Sequence, residues 1–428
     1  MKITKPSGPG RYEYLDGIRG LASLMVAVCH YVTAFQPDLL NGDASLSHFP
    51  GDYLLAKTGL VFFYNPDFGV AIFFVLSGFV LAASVAHEPP SWPSLAVRRW
   101  VRLILPVLTI SVILWVALHL GAFRGVPAAA IQAKSKWFAA MFADPTYHVP
   151  LWKQIGDGLI TFFRPDQSSG LSGALNPVLW TMPIELQGSL VLFALYCYGA
   201  DLFRRRRGRV LVMLLAVPLT FQTSFYGFGL GVALFEAKRL LEEVQGPWRQ
   251  KLSQLAVPGG LLLLAAGLWM GSAPYLLKSD SSYLAFITFL FNHAGLVEGV
   301  EPMHHLGAAC IIAASLLLAP LRWLLTTWVC RYLGRISFML YLVQIPMLGA
   351  VAAPVFLHTA PHWSYEHRAI LAFGAYLVAA VICAELATRF IDKPAIRLSR
   401  KVTARAWGWR EMLAYRPFGL GRSKAGAE

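Results

Sequence analysis

Long apolar runs govern what this chain can become. A bilayer crossing needs roughly 20 consecutive apolar residues. Runs near that length recur at 17–37, 69–87, 101–122, 175–199, 255–273, 304–325, 335–357 and 367–391, with a shorter pair at 209–222 and 223–238. The expectation is an all-α integral membrane protein of about ten transmembrane helices. Composition agrees: 56% of the 428 residues are apolar, 14% are charged, and the mean hydropathy is +0.54. A soluble enzyme is excluded on that balance. The formal net charge of +14 could suggest a nucleic-acid partner. The cations instead sit in short runs at the ends of apolar segments, which is a topology signal and not a phosphate-binding surface.

Placing the N-terminus in the cytoplasm puts 29 of the 37 Lys and Arg residues on that side, including Arg204 to Arg207 and ten positions from Arg389 to Lys424. The positive-inside bias therefore predicts both termini cytoplasmic. The first 15 residues are polar, no cleavable leader is evident, and the first span is expected to act as the uncleaved anchor. One transmembrane domain over 1–400 and a short basic cytoplasmic tail over 401–428 complete the expected organisation, with no internal repeat. The five cysteines fall mostly within apolar runs and form no metal-ligand spacing, so they read as small core residues.

The stretch with the most chemistry is Asp16-Gly17-Ile18-Arg19-Gly20 and the helix after it, which carries His30. Asp16 suits an N-cap, where its carboxylate meets the positive end of the helix dipole. Arg19 in the first turn is disfavoured by that dipole and wants another reason. Arg19 and His30 are separated by about 16 Å along a helix at 1.5 Å per residue. A cation at the membrane surface with an imidazole at mid-depth is not something apolar packing requires. His30 is the candidate catalytic centre; the plain alternative is a histidine bonding across to a neighbouring helix.

The sequence resembles the membrane-bound acyltransferase 3 proteins. The resemblance rests on Leu15-Asp16-Gly17-Ile18-Arg19-Gly20 with His30, on Phe73 to Phe79, on Arg99-Trp100-Val101-Arg102, on Leu179 to Glu185, on Leu333 to Leu342 and on Phe390-Ile391-Asp392-Lys393-Pro394. It implies an O-acyltransferase that takes an acyl group, most simply acetyl, from cytoplasmic acyl-CoA. The implied acceptor is a hydroxyl of a carbohydrate or glycolipid on the outer side of a cell (inner) membrane, and no metal is implied. Arg99 and Arg102 match the family's paired arginines, and Arg19 belongs with them. Guanidinium forks suit the phosphates of a nucleotide donor, while anchoring to acidic lipid explains Arg98 and could explain all three.

Glu185 lies in an otherwise apolar span and needs a partner there. Orienting the imidazole of His30 is one role, and a structural bond to a backbone or tyrosine group is the other. Pro183 is expected to kink the helix beside it. Ser77, Tyr341 and Gln344 are secondary candidates. Ser77-Gly78 reads first as close helix packing, and Gln344 stands where the family often has a histidine. His304-His305 lack a third ligand at a plausible spacing for a metal.

The loops 38–68 and 123–174 are rich in aromatic, Gly and Pro residues and read as packed surface elements facing a carbohydrate or as an interfacial aromatic belt. Pro145 to Trp152 and Phe163 to Gln167 stand out in the second. The segment 282–297 is read as an interfacial or re-entrant helix. Buried ionisable groups also mark permeation paths, so a transporter or flippase is the competing reading.

Overall fold

A computed structural model describes residues 12–86, 91–141, 150–160, 162, 176–273 and 300–407. The segments Pro145 to Val149, Phe163 to Gln167 and 282–297 lie outside them, as does the chain beyond 407. The described residues are helical without strands, and the protein is an all-α membrane protein. Its longer helices are α1 (Glu13–Phe35), α2 (Pro66–Val85), α3 (Trp92–His119), α4 (Thr181–Tyr198), α5 (Arg206–Thr220) and α6 (Tyr226–Glu242). They continue with α7 (Pro247–Gly271), α8 (Glu301–Leu317), α9 (Trp328–Met347), α10 (Tyr365–Ala387) and α11 (Lys393–Trp407).

Among the described residues, seven helical segments are long and apolar enough to cross a membrane. An eighth results if α8 and the helix Ala319–Leu325, which meet at 104°, form one broken span. The short pair expected at 209–222 and 223–238 is present as α5 and α6, of 15 and 17 residues, below that length.

Glycines set the closest helix approaches. A Cβ on Gly20 would lie 2.4 Å from the Gly334 nitrogen, and one on Gly334 would lie 2.3 Å from the Asp16 carbonyl oxygen. The glycines beside Arg19 thus let α1 lie backbone to backbone on α9, as small residues do at membrane helix interfaces. Gly20 meets Gly334, and ten residues further along both chains His30 meets Gln344, so the two helices run parallel. Gly78 and Gly231 do the same for α2 and α6, the packing expected of Ser77-Gly78.

α10 runs antiparallel to α1. Three tyrosine hydroxyls fasten the pair: Tyr365 to the Phe35 carbonyl, Tyr31 to the Ala369 carbonyl, and Tyr376 to the Ala27 carbonyl at 3.0 Å.

Three local expectations change. α1 begins at Glu13, with Tyr12 before it, so Asp16 sits in the first turn and not at the cap. It still supplies negative charge there and pairs with Arg19 at 3.3 Å. Pro183 is the third residue of α4, after the 3₁₀ turn Pro177–Trp180. Its missing N–H falls among donors that a helix start leaves unpaired, so it opens the helix instead of kinking it. Arg98 is 6% exposed and bonds the Thr403 hydroxyl of α11 at 3.3–3.4 Å, so it joins two helices and is not a lipid anchor.

The loop after α1 folds into short helices, Asp38–Asn41, Asp52–Lys57 and Gly59–Tyr64 among them. Val126–Gln132 and Lys136–Met141 pack beside it. Lys134, at φ 52°, closes the turn between those two and sends its ammonium to the carbonyls of Ser45 and Ser47. The Ser135 hydroxyl donates to the Thr33 carbonyl at 2.7 Å, which fixes this layer to the end of α1.

Candidate active site

His30 is the eighteenth of the 23 residues of α1, so it lies towards the C-terminal end of the helix, about 26 Å from its start at 1.5 Å per residue. Its Nδ1 is 3.0 Å from Oε1 of Gln344, a side chain with no exposure. The Tyr376 hydroxyl reaches the same oxygen at 3.3 Å. On the loop side Trp137 of Lys136–Met141 stacks over the imidazole, with ring centroids 5.6 Å apart and planes within 14°. Phe138, beside that tryptophan, is fully buried against Phe35 and holds the short helix in place.

Glu185 does not bond His30. One of its oxygens accepts from the Ser77 hydroxyl and from the Arg99 guanidinium. Arg99 also donates through Nε to the Ser189 hydroxyl at 2.9 Å. The side chains of Arg99 and Glu185 are 11% and 15% exposed, so the charges compensate one another where hydrocarbon or protein surrounds them.

Tyr341 stands between the two groups. It lies one turn from Gln344 on α9, and its hydroxyl donates to the Val178 carbonyl while pairing with the Thr181 hydroxyl, both at 3.0 Å. Thr181 in turn lies one turn before Glu185 on α4. One turn of α9 and one turn of α4, about 4.5 Å and about 6 Å at 1.5 Å per residue, therefore separate the His30 level from the Glu185 level.

The remaining candidates are placed apart. Arg19 is held by Asp16, and Arg102, one turn beyond Arg99, faces the charge of Asp392. His304 bonds Asn65 and the Ala273 carbonyl through Nε2, and His305 bonds the Glu301 carbonyl through Nδ1. The structure thus joins His30 with Gln344, and Ser77 with Arg99 and Glu185; it does not bring Arg19 into bonding contact with either group. Sequence reasoning missed Trp137, Tyr376, Thr181 and Ser189, whose positions carry no spacing signal relative to His30.

A carboxylate network also lies in the layer above α1. Asp38 is fully buried beside Asp52. Burial first, then the hydrogen bond and charge of neighbouring Asp52, push its carboxyl up to about 7. Burial opposes ionisation of Asp52 too, but bonds from Ser47, Asp38 and the backbone N–H groups of Phe49 and His48 hold it below the usual carboxylate range.

The fold and these groups define a polytopic membrane protein with an imidazole fixed in a helix and a compensated ion pair beneath it. The acyltransferase domain model matches residues 12–389, and the chain belongs to that family. It is similar to acyltransferase clz18 of Cochliobolus lunatus, 23% identical over 91% of this chain and 95% of that one. It is equally similar to acyltransferase R4 of Phoma sp., 23% identical over 91% and 95% of the two chains. O-acetyltransferase PaAT-1 of Phomopsis amygdali is 24% identical over 79% of this chain and 72% of its own. No solved structure matches significantly. The protein is a membrane-embedded enzyme that transfers acyl groups.

Proposed function

We propose that the protein moves an acyl group, acetyl in the first instance, from acyl-CoA on the cytoplasmic side to a hydroxyl of a carbohydrate or glycolipid on the other side of a cell inner membrane, with His30 at the reacting centre. The observation that carries this reading is an imidazole held by a buried amide in the helix that opens an acyltransferase domain. The acetyl group is favoured by the relative named an O-acetyltransferase. Both termini are taken as cytoplasmic from the distribution of Lys and Arg.

In this scheme Arg19, Arg99 and Arg102 meet the phosphates of the donor, with Arg99 exchanging part of its bonding to Glu185 for a phosphate oxygen. The pantetheine arm carries the thioester towards His30. The acceptor hydroxyl oxygen attacks the thioester carbonyl carbon as its proton passes to the imidazole. Collapse of the tetrahedral intermediate breaks the carbon–sulfur bond, and the departing thiolate takes that proton back. Ester and free CoA result.

Purified enzyme given labelled acetyl-CoA and an extract of membrane glycolipids should form labelled ester. His30→Gln, similar in size but unable to act as a base, should remove turnover with donor binding retained. Near-normal transfer by His30→Gln would refute the assignment.

A further inference from the structure

Resting on that reading of His30, the geometry points to Gln344 as the positioning residue that fixes which imidazole nitrogen is basic. Gln344 Oε1 accepts at 3.0 Å from Nδ1, and the same oxygen faces the Tyr376 hydroxyl at 3.3 Å. A carbonyl oxygen can only accept, so the bond requires the proton on Nδ1. Nε2 then carries the lone pair and is the nitrogen left to take the proton of the acceptor hydroxyl. The tautomer of a histidine is set by the bond its other nitrogen makes, and here that bond comes from a neutral amide and not from a carboxylate.

Two further contacts hold the arrangement. The Tyr376 hydroxyl also reaches the Ala27 carbonyl at 3.0 Å, three residues before His30 on α1, so it links the amide to the backbone of the helix bearing the imidazole. Trp137 lies parallel to the ring within 14° and fixes its plane, opposing the rotation that would exchange Nδ1 for carbon. Gln344 and Tyr376 are both fully buried, so neither rotates freely away. Glu185, bonded to Arg99 and Ser77, does not supply this contact.

The test reads the tautomer directly and the rate separately. In protein labelled with ¹⁵N-histidine, solid-state NMR should show His30 protonated on Nδ1 and bare on Nε2, and Gln344→Leu should mix the two forms. In the transfer assay Gln344→Leu should lower kcat roughly 10- to 100-fold, as loss of a buried hydrogen-bond partner does, with KM for acyl-CoA unchanged. Gln344→Glu keeps an acceptor at the same place and adds a charge that favours imidazolium. It should restore much of kcat and move the acid limb of the kcat profile to higher pH. A proton on Nε2 in the unmutated protein, or a Gln344→Leu variant with unaltered tautomer and kcat, would overturn the assignment. The NMR result does not depend on turnover. Absence of transfer by the unmutated enzyme would therefore count against the proposed function and leave the tautomer test standing.

Discussion

Replacing Glu185 by Gln tests whether this carboxylate serves Arg99 or His30. In the structure it accepts from Arg99 and Ser77, and both members of the ion pair are mostly buried. Arg99→Ala leaves the carboxylate with Ser77 alone. Removing one partner of a buried pair costs about 3–5 kcal/mol, because the other charge is left uncompensated. Glu185→Gln keeps an accepting oxygen for Arg99 and should cost less, about 1–3 kcal/mol. Since the two side chains touch, the double variant should be less destabilised than the sum of the singles, with a coupling of about 2 kcal/mol. Denaturant unfolding in mixed micelles measures all three. The kinetic arm is separate: the acid limb of the kcat profile should stay in place in Glu185→Gln, since the group bonded to the imidazole is Gln344. Additive destabilisation would remove the ion pair from the argument. A displaced acid limb would make Glu185 the charge partner of His30 after all.

Two further outcomes follow from other parts of the fold. Asp38, pushed up to about 7 from 3.8, binds its proton more tightly folded than unfolded, so the stability it lends is fully present below about pH 4 and is lost as pH rises to 7. Asp38→Asn, neutral at every pH, should flatten that dependence; an apparent Tm profile as steep as that of the unmutated protein would refute the buried neutral acid. Gly20→Ala should destabilise by about 1–3 kcal/mol as an overpacked contact, because its Cβ meets the Gly334 backbone, whereas Gly374→Ala meets nothing within 4 Å and should leave the protein as stable or slightly more so; equal Tm for the two variants would deny the close crossing.

Much of the architecture was legible because hydrocarbon imposes a length. The apolar runs at 17–37, 69–87 and 101–122 correspond to α1, α2 and α3, each displaced by several residues where charged side chains such as Glu13 and Arg99 extend a helix past its apolar core. Gly78 was readable as a packing residue, since close approach is what a missing Cβ permits, whereas Gly20 was legible only as part of a motif. Pairing across the bundle was less legible. Glu185 was visibly in need of a partner, but nothing local says whether an imidazole or a guanidinium supplies it, and the answer depends on α3 and α4 placing Arg99 and Ser189 together. Gln344 is 314 residues from His30, and only the parallel register fixed at Gly20 and Gly334 makes them neighbours. Trp137 comes from a loop with no period at all.

The choice of partners also follows from where each group lies. A carboxylate beside His30 would strengthen the base, as in a triad, but it would place an anion where the described partners of His30 and Gln344 are neutral. An amide fixes the proton without adding charge. Glu185 is tolerable in its own span because Arg99 answers it and two hydroxyls, Ser77 and Ser189, complete the bonding. The His30 and Glu185 groups are thereby each close to neutral before substrate arrives. In the proposed reaction, charge separation at His30 is then confined to the moment of proton transfer, when Nε2 holds the acceptor's proton and the thiolate has yet to reclaim it. A neutral clamp makes that imidazolium brief, because nothing beside Nδ1 is charged to retain it. The consequence is that carboxylate substitution at Gln344 should raise the imidazole's hold on a proton while leaving much of the turnover, which is why its pH profile, more than its rate, carries the information.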